Sequence, residues 1–142
     1  MTTTQVAAAL DQETADRLSA ALQRCCETLD VEDGLFAPEA FFDMYPPLWR
    51  FQIQGARAFE SQLRAIADGE IRVRIVRTVP TASGFVTEHE ETQRGAVTEV
   101  SRKLWLCEVR DGRITEVVCY CNGGWDDDLR ARHAAEAPML RP

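Results

Sequence analysis

The sequence of 142 residues lacks the short motifs that mark several large enzyme classes. It contains no glycine-rich loop of the GxGxxG or GxxxxGK[ST] type, no GxSxG nucleophile turn and no HExxH zinc motif. We therefore expect that any chemistry of this chain proceeds without a cofactor and without a bound metal. The protein itself would supply the shape of the site and the groups that transfer protons.

The chain also lacks an excess of positive charge and a long apolar run. Its net charge of -7 argues against nucleic acid and anionic membrane as partners, because either would need a concentrated basic face. No apolar run approaches the roughly 20 residues of a membrane span, and the first residues lack the basic leader and apolar core of a secretory signal. We expect a cytoplasmic protein whose partner is a hydrophobic small molecule.

A regular cysteine framework is missing as well. The five cysteines are odd in number and irregular in spacing, which favours reduced thiols over disulfides. Cys119 and Cys121 lie two residues apart on a predicted strand and therefore share one face. No further ligands stand at metal spacing, so we interpret these thiols as core residues rather than as a metal site.

The length and composition predict one domain over residues 1–142, with a loose arm at 1–10 and a tail at 136–142. Asp11 or Thr14 is suited to cap a first long helix. The apolar positions of that helix step by three and four residues. They are Ala15, Leu18, Leu22, Cys25 and Leu29.

Shorter elements follow this helix. Residues 37–45, "APEAFFDMY", predict a short helix with Pro38 in its first turn. The prolines of "YPPLW" must then leave helical geometry, and the alternation in "WRFQIQG" predicts a short strand. A second amphipathic helix follows Gly55, and Gly69 closes it.

The second half of the sequence is dominated by strand patterns. Strands are predicted at 71–79, 85–93, 97–109 and 114–122, joined by short links that include an Asp-Gly hairpin signal. Asp126 is suited to cap a last helix that ends near Ala135. Helices followed by such a meander indicate an α+β fold in which a curved antiparallel sheet wraps around the long first helix and encloses a pocket.

This order of elements resembles the nuclear transport factor 2-like superfamily, and within it the SnoaL-like polyketide cyclases and ketosteroid isomerases. The resemblance rests on "LDVEDGLFAPEAFFD", "IQGARAFESQLRAI" and "EVRDGRITEVVCYCN" and covers about residues 14–125. It implies a cone-shaped sheet and, on the outer sheet face, a homodimer. It also implies that Thr87, His89 and Glu91 point into the cone, together with Trp105, Cys119 and Cys121.

Two activities within the superfamily fail a residue-by-residue test. The steroid isomerases use a tyrosine and two aspartates, and the matching positions here are Cys25, Met44 (or Asp43 after a one-residue shift) and Trp105. Two of the three roles are missing. The limonene-epoxide hydrolases need an inward arginine between two inward aspartates, which this sequence does not supply.

His89 is the first candidate for chemistry, because an imidazole can accept and return a proton near neutral pH. Glu91 lies two residues on, at the spacing of a carboxylate that could orient the ring. The alternative is a solvated strand edge whose charges keep the protein soluble. Lys103 shares the face of Trp105 and is either a pocket cation or a solvated residue at the start of its strand.

Asp43 is the second candidate, since this superfamily often carries its acid-base carboxylate at the mouth of the pocket. Apolar neighbours would raise the pKa of this carboxyl group, although an aspartate here could instead accept a backbone hydrogen bond. Tyr45, Trp49 and Trp105 are predicted as aromatic pocket walls, with core packing as the alternative.

Together these residues predict a cofactor-independent enzyme of the SnoaL-like type that acts on a hydrophobic small molecule by acid-base catalysis. Cyclisation, dehydration, isomerisation and hydrolysis would all use the same groups, with His89, Asp43 and Glu91 catalytic. Tyr45, Trp49, Thr87, Trp105, Cys119 and Cys121 would contact the substrate, as in a biosynthetic enzyme. The alternative is a non-catalytic ligand-binding or dimeric assembly module of the same fold, which would follow if His89 and Asp43 lie on opposite sides of the sheet.

Overall fold

The structure, a computed structural model, describes residues 9–141. Most of the predicted N-terminal arm and the last residue of the predicted tail therefore lie outside the described residues. Three helices and six strands follow one another along the chain. They are α1 (Gln12–Thr28), β1 (Phe36–Tyr45), β2 (Phe51–Gln54), α2 (Ala56–Ile66), β3 (Glu70–Pro80), β4 (Gly84–Arg94), β5 (Thr98–Arg110), β6 (Arg113–Cys121) and α3 (Asp127–Glu136).

Helix α1 begins and ends as its sequence predicts. The Asp11 side chain accepts a hydrogen bond from the backbone N–H of Thr14 at 2.7 Å, which satisfies one of the free donors at the helix start. Leu29 ends the helix in a left-handed conformation, with φ at 65°. The predicted stripe of apolar residues is buried up to Cys25, so this face of α1 forms one layer of the core.

The sheet has the strand order β2-β1-β6-β5-β4-β3 and does not close. Strands β3 to β6 pair antiparallel, which confirms the predicted meander, while β1 pairs with β6 in parallel. Helix α1 packs across β3 and β4, and α2 packs against β1 and β2. The predicted α+β class, a curved sheet wrapped around a long first helix, is confirmed.

The short helix predicted over residues 37–45 is wrong, because this segment forms most of β1. Its side chains alternate in burial: Ala40 and Phe42 lie in the core, and Phe41 between them is only half-buried. The register with β6 shifts between Phe36 and Phe41, a bulge that spans Pro38. Pairing with two neighbouring strands outweighs the local helical signal.

An aromatic cluster fills the closed end of the core. Phe42 and Phe59 stack with ring centroids 4.1 Å apart, and Phe36 and Trp105 meet the Phe59 ring edge to face. This cluster ties β1, α2 and β5 together through side chains that are at most 4% exposed. Among residues 9–141, no helix combines the length and the apolar character that crossing a membrane requires.

Candidate functional site

A cavity lies between the inner face of the sheet and the C-terminal halves of α1 and α2. Its volume is about 210 Å³. The residues that line it come from both helices and the residues that follow them, from five strands and from the segment after β6. They are Cys26, Leu29, Met44, Leu63, Ile66, Ala67, Ile71, Glu91, Gln93, Glu99, Ser101, Lys103, Trp105, Cys121 and Gly124.

Strand β4 directs alternate side chains into the cone. Thr87 and His89 are fully buried and Glu91 is 9% exposed, which confirms the predicted inward direction of these three residues. Glu88 and Glu90, the residues between them, point to the other face and pair with arginines there. The period of two along a strand produces this separation of polar residues into two environments.

Lys103 and Glu91 form an ion pair in the wall of the cavity. The Lys103 Nζ donates to Glu91 Oε2 at 2.9 Å, and the two side chains are 22% and 11% exposed. Burial disfavours the ammonium charge, but the Glu91 carboxylate outweighs this effect and raises the pKa of Lys103 above its usual value. The structure therefore places Lys103 in the cone as a cation, one of the two alternatives that its sequence position allowed.

His89 lies opposite Lys103 in the sheet register and is not among the residues that line the cavity. Neither of its ring nitrogens has a hydrogen-bond partner among the described residues. The ring centroid is 6.0 Å from that of Trp105, whose indole N–H likewise has no partner there. Burial, with a smaller contribution from the Lys103 charge, lowers the pKa of His89 to about 4. The imidazole is therefore neutral at pH 7.

Neither ring nitrogen of His89 donates a hydrogen bond to Glu91, so the carboxylate does not orient the ring as predicted. In register, His89 lies opposite Lys103, and Glu91 lies opposite Ser101. The long Lys103 side chain reaches diagonally to the carboxylate, and the short histidine does not. A charged donor holds a carboxylate more strongly than a neutral ring does.

Asp43 lies on the opposite face of the sheet, contrary to the prediction that it joins His89. It follows the fully buried Phe42 along β1, so its side chain emerges on the outer face. The Arg50 guanidinium binds both carboxylate oxygens, at 2.9 and 2.8 Å. These hydrogen bonds from Arg50 hold the pKa of Asp43 below its usual value, which is opposite to the predicted rise.

The other predicted contact residues divide between the two faces. Tyr45 stacks on Tyr120 of the outer face at a centroid distance of 4.8 Å, and Trp49 is 71% exposed, so neither lines the cavity. Trp105 and Cys121 do line it. Thr87 and Cys119 are buried on the inner face outside the cavity lining; the Thr87 hydroxyl lies 2.7 Å from that of Ser19 in α1.

The apolar wall of the cavity was not among the predicted site residues. It is formed by helix positions and by Met44, since β1 turns this residue inward beside the aromatic core. The helical stripe was visible in the sequence, but a stripe alone does not distinguish core residues from cavity residues. Among residues 9–141, no group of three or more histidines, cysteines and acidic residues is placed to hold a metal ion.

Comparison with solved structures finds the same fold in several proteins. An LEH-like epoxide hydrolase from M. tuberculosis is 21% identical, with a TM-score of 0.64 over 89% of this chain and 98% of the other. An NTF2-like protein of unknown function from Mesorhizobium loti is 19% identical, with a TM-score of 0.59 over 78% and 93%.

A third similar structure is a protein with a ketosteroid isomerase-like fold from Catenulispora acidiphila, in complex with trimethylamine. It is 11% identical, with a TM-score of 0.59 over 72% of this chain and 83% of the other. No protein-family model matches the sequence, and no curated protein matches it. At these identities the comparisons show the fold alone: the chain has the nuclear transport factor 2-like fold.

Proposed function

We propose that this protein is a cofactor-independent enzyme that acts by acid-base catalysis on a small, largely apolar molecule in the cone cavity. The observation that carries the proposal is the Lys103–Glu91 ion pair in the wall of the cavity. Lysine and glutamate are rarely buried unless they are paired, because removing both from water is costly, and a pair that also lines a cavity is a candidate for a functional site. A place in natural-product biosynthesis would suit such an enzyme.

In this proposal Glu91 is the base and Lys103 is the neighbouring cation. A carboxylate in a partly closed cavity can accept a proton from a bound substrate. The Lys103 ammonium group, whose Nζ lies 2.9 Å from Glu91 Oε2, can then stabilise the negative charge that develops on the substrate. Cyclisation, dehydration, isomerisation and hydrolysis all require a proton to be taken and another returned. The epoxide hydrolase and isomerase-like proteins of this fold make such chemistry a reasonable expectation.

His89 keeps a place in the proposal only as a neutral neighbour of Lys103, since it lies opposite that residue but does not line the cavity. Because its ring is neutral at pH 7, His89 adds no second positive charge beside Lys103. The ammonium group of Lys103 binds Glu91 instead. Asp43 has no part in the proposed chemistry, since Arg50 binds it on the outer face.

The test begins with a screen of small apolar compounds for binding in the cavity, followed by turnover assays on those that bind. Glu91→Gln should lower the turnover of any substrate found by about 100-fold or more, the usual contribution of a general base. Glu90→Gln is the matched control, because it removes the adjacent carboxylate from the outer face. Equal turnover by the wild type and Glu91→Gln would exclude Glu91 as the base.

The second candidate is a ligand-binding or assembly module without catalysis. The position of Asp43 favours it, because the two predicted proton-transfer groups lie on opposite faces of the sheet. Compounds that bind in the cavity of the wild type without being converted would support this alternative.

A homodimer through the outer face is proposed in either case. That face exposes three apolar side chains, Leu104, Leu106 and Tyr120, to 38%, 38% and 48%. Arginines and glutamates lie around them, so the face carries charges of both signs. Leu106→Glu should yield monomers in light scattering, whereas a wild type that is already monomeric would contradict the proposal. A cytoplasmic location is proposed as well, since all five cysteines are free thiols.

A further inference from the structure

We propose that the ligand of the cavity is a neutral molecule about one ring in size, and that one of its oxygen atoms accepts a hydrogen bond from the Lys103 ammonium. This inference rests on the proposed function, because it takes the cone cavity as the ligand site. It adds a ligand class and a binding orientation.

The two walls of the cavity differ in chemistry. Apolar side chains form the helix wall, including Leu63 and Ile66 of α2 and Leu29, which ends α1. The strand wall carries the polar groups. They are Glu91, Gln93, Glu99, Ser101 and Lys103. A molecule that fills this space needs an apolar body on one side and a hydrogen-bonding group on the other.

The Lys103 ammonium group has more N–H donors than it has acceptors among the described residues. A lysine ammonium group carries three N–H donors, and among residues 9–141 the only acceptor bound to Lys103 is the Glu91 carboxylate, at 2.9 Å. The side chain is 22% exposed and lines the cavity, so its ammonium group is within reach of a ligand. An N–H group that faces apolar surroundings gains free energy from an acceptor, which favours an oxygen atom on the ligand.

The charge balance of the wall favours a neutral ligand. Lys103 and Glu91 neutralise each other. An anionic ligand would compete with Glu91 for the ammonium group and would also meet Glu99, which lines the same cavity. A cationic ligand could pair with Glu99, but it would also lie beside the Lys103 ammonium group and compete with it for Glu91. In both cases one buried charge would lose its partner, and that loss is costly.

The size of the cavity limits the ligand further. Its volume of about 210 Å³ is below the range of roughly 300–1,000 Å³ that holds drug-sized ligands. Met44 and Trp105 close its inner end with side chains that belong to the packed core or contact it. A single ring with a short substituent therefore fits the space better than a fused-ring molecule does.

Lys103 is also the one lysine among 16 basic residues, the others being arginines. On the outer face, Arg102 uses its planar fork to bind Glu88 and Glu90 at the same time. An arginine in place of Lys103 could bind Glu91 through two parallel hydrogen bonds and so commit more of its donors. The single-point contact made by lysine leaves donors free for a ligand.

The sole lysine makes a direct test possible. Protein labelled with [15N]lysine has a single side-chain amine signal, which can be followed by NMR during titration with acetophenone, ethylbenzene or benzoate. We expect acetophenone to bind roughly tenfold more tightly than ethylbenzene, the effect of one hydrogen bond to a charged group. We also expect acetophenone alone to shift the amine signal strongly, and benzoate to bind most weakly.

Lys103→Met should remove the preference for acetophenone while keeping the affinity for ethylbenzene. Arg102→Met is the matched control, because it removes a positive charge from the adjacent residue on the outer face and should keep the preference. If Lys103→Met does not fold, the comparison of the three compounds on the wild type still decides the question.

The possible outcomes separate this inference from the proposed function. Equal affinity for acetophenone and ethylbenzene, or tightest binding of benzoate, would overturn the inference and leave a ligand-binding cavity in place. Binding of none of the three compounds would count against both. A preference for acetophenone that survives in Lys103→Met would show that another group holds the oxygen and would also overturn the inference.

Discussion

The two faces of the sheet use the same residue types in opposite surroundings. On the outer face, five charged side chains form a continuous row of ion pairs that is partly exposed in the single chain. They are Arg77, Glu88, Arg102, Glu90 and Arg74, with nitrogen–oxygen distances of 2.7 to 3.2 Å. On the inner face, one pair, Lys103 and Glu91, lies at 2.9 Å against an apolar wall.

The difference shows why distance alone does not identify a functional ion pair. An exposed pair contributes about 0–1 kcal/mol, because water solvates each charge almost as well as the partner does. In a buried pair each charge holds the other strongly, because a lone buried charge is so unfavourable. The inner pair is therefore the one whose disruption should change both folding and ligand binding.

The largest effect is expected from Lys103→Met. Leaving Glu91 without its partner should lower the free energy of unfolding by roughly 2–4 kcal/mol, somewhat less than the 3–5 kcal/mol typical of fully buried pairs, because Lys103 is 22% exposed. Urea denaturation measures the change. The double variant Lys103→Met with Glu91→Gln should recover part of the loss, and a double variant less stable than the single one would contradict this account.

The next effect concerns pH. Because burial lowers the pKa of His89 to about 4, the unfolded chain binds a proton at this residue before the folded protein does. Stability should therefore be highest above pH 6.5, the usual pKa of a histidine, and should fall as the pH drops to about 4, by up to about 3 kcal/mol. Thermal unfolding across this range measures the slope.

The control for this prediction is His89→Leu, which replaces the ring with an apolar side chain of similar size. Its stability should change much less between pH 6.5 and 4.5. The histidine of α3, His133, is partly exposed and remains in both proteins. The same slope in His89→Leu would show that other groups cause the acid sensitivity.

A smaller effect is expected from Arg102→Met. Its side chain is 41% exposed, so the loss of two outer ion pairs should cost about 1 kcal/mol or less and should shrink further at high salt. Urea denaturation at low and high ionic strength tests this. A loss as large as that of Lys103→Met would remove the contrast between the two faces.

The smallest effect on ligand binding is expected from Asp43→Asn. The carboxylate lies on the outer face in contact with Arg50, so the affinity of any cavity ligand should not change. Isothermal titration with a compound from the binding screen measures it. A clear loss of affinity would mean that the outer face communicates with the cavity.

Much of this architecture could be predicted from the sequence. The stripe of α1, its Asp11 cap and the four strands of the meander follow from periodicity and turn signals that each lie within a short segment. Predicting that Thr87, His89 and Glu91 point inward also required the resemblance to a fold whose interior face is known. Alternation fixes which residues share a face, but it does not say which face is buried.

Residues 37–45 and the partner of Glu91 show where the sequence alone was insufficient. Local signals favoured a helix, and only pairing with β2 and β6 turned this segment into β1, which moved Asp43 to the outer face. Glu91 was expected to hold His89, but the Lys103 side chain reaches it from the neighbouring strand.

The sequence by itself thus determined the elements other than β1, and the sharing of faces within each strand, because these depend on neighbours along the chain. The tertiary structure decided which carboxylate enters the cone, which cation it meets and how far burial lowers the pKa of His89. These outcomes depend on burial and on contacts between residues far apart in sequence, and burial sets both the pKa of His89 and the strength of the Lys103–Glu91 pair.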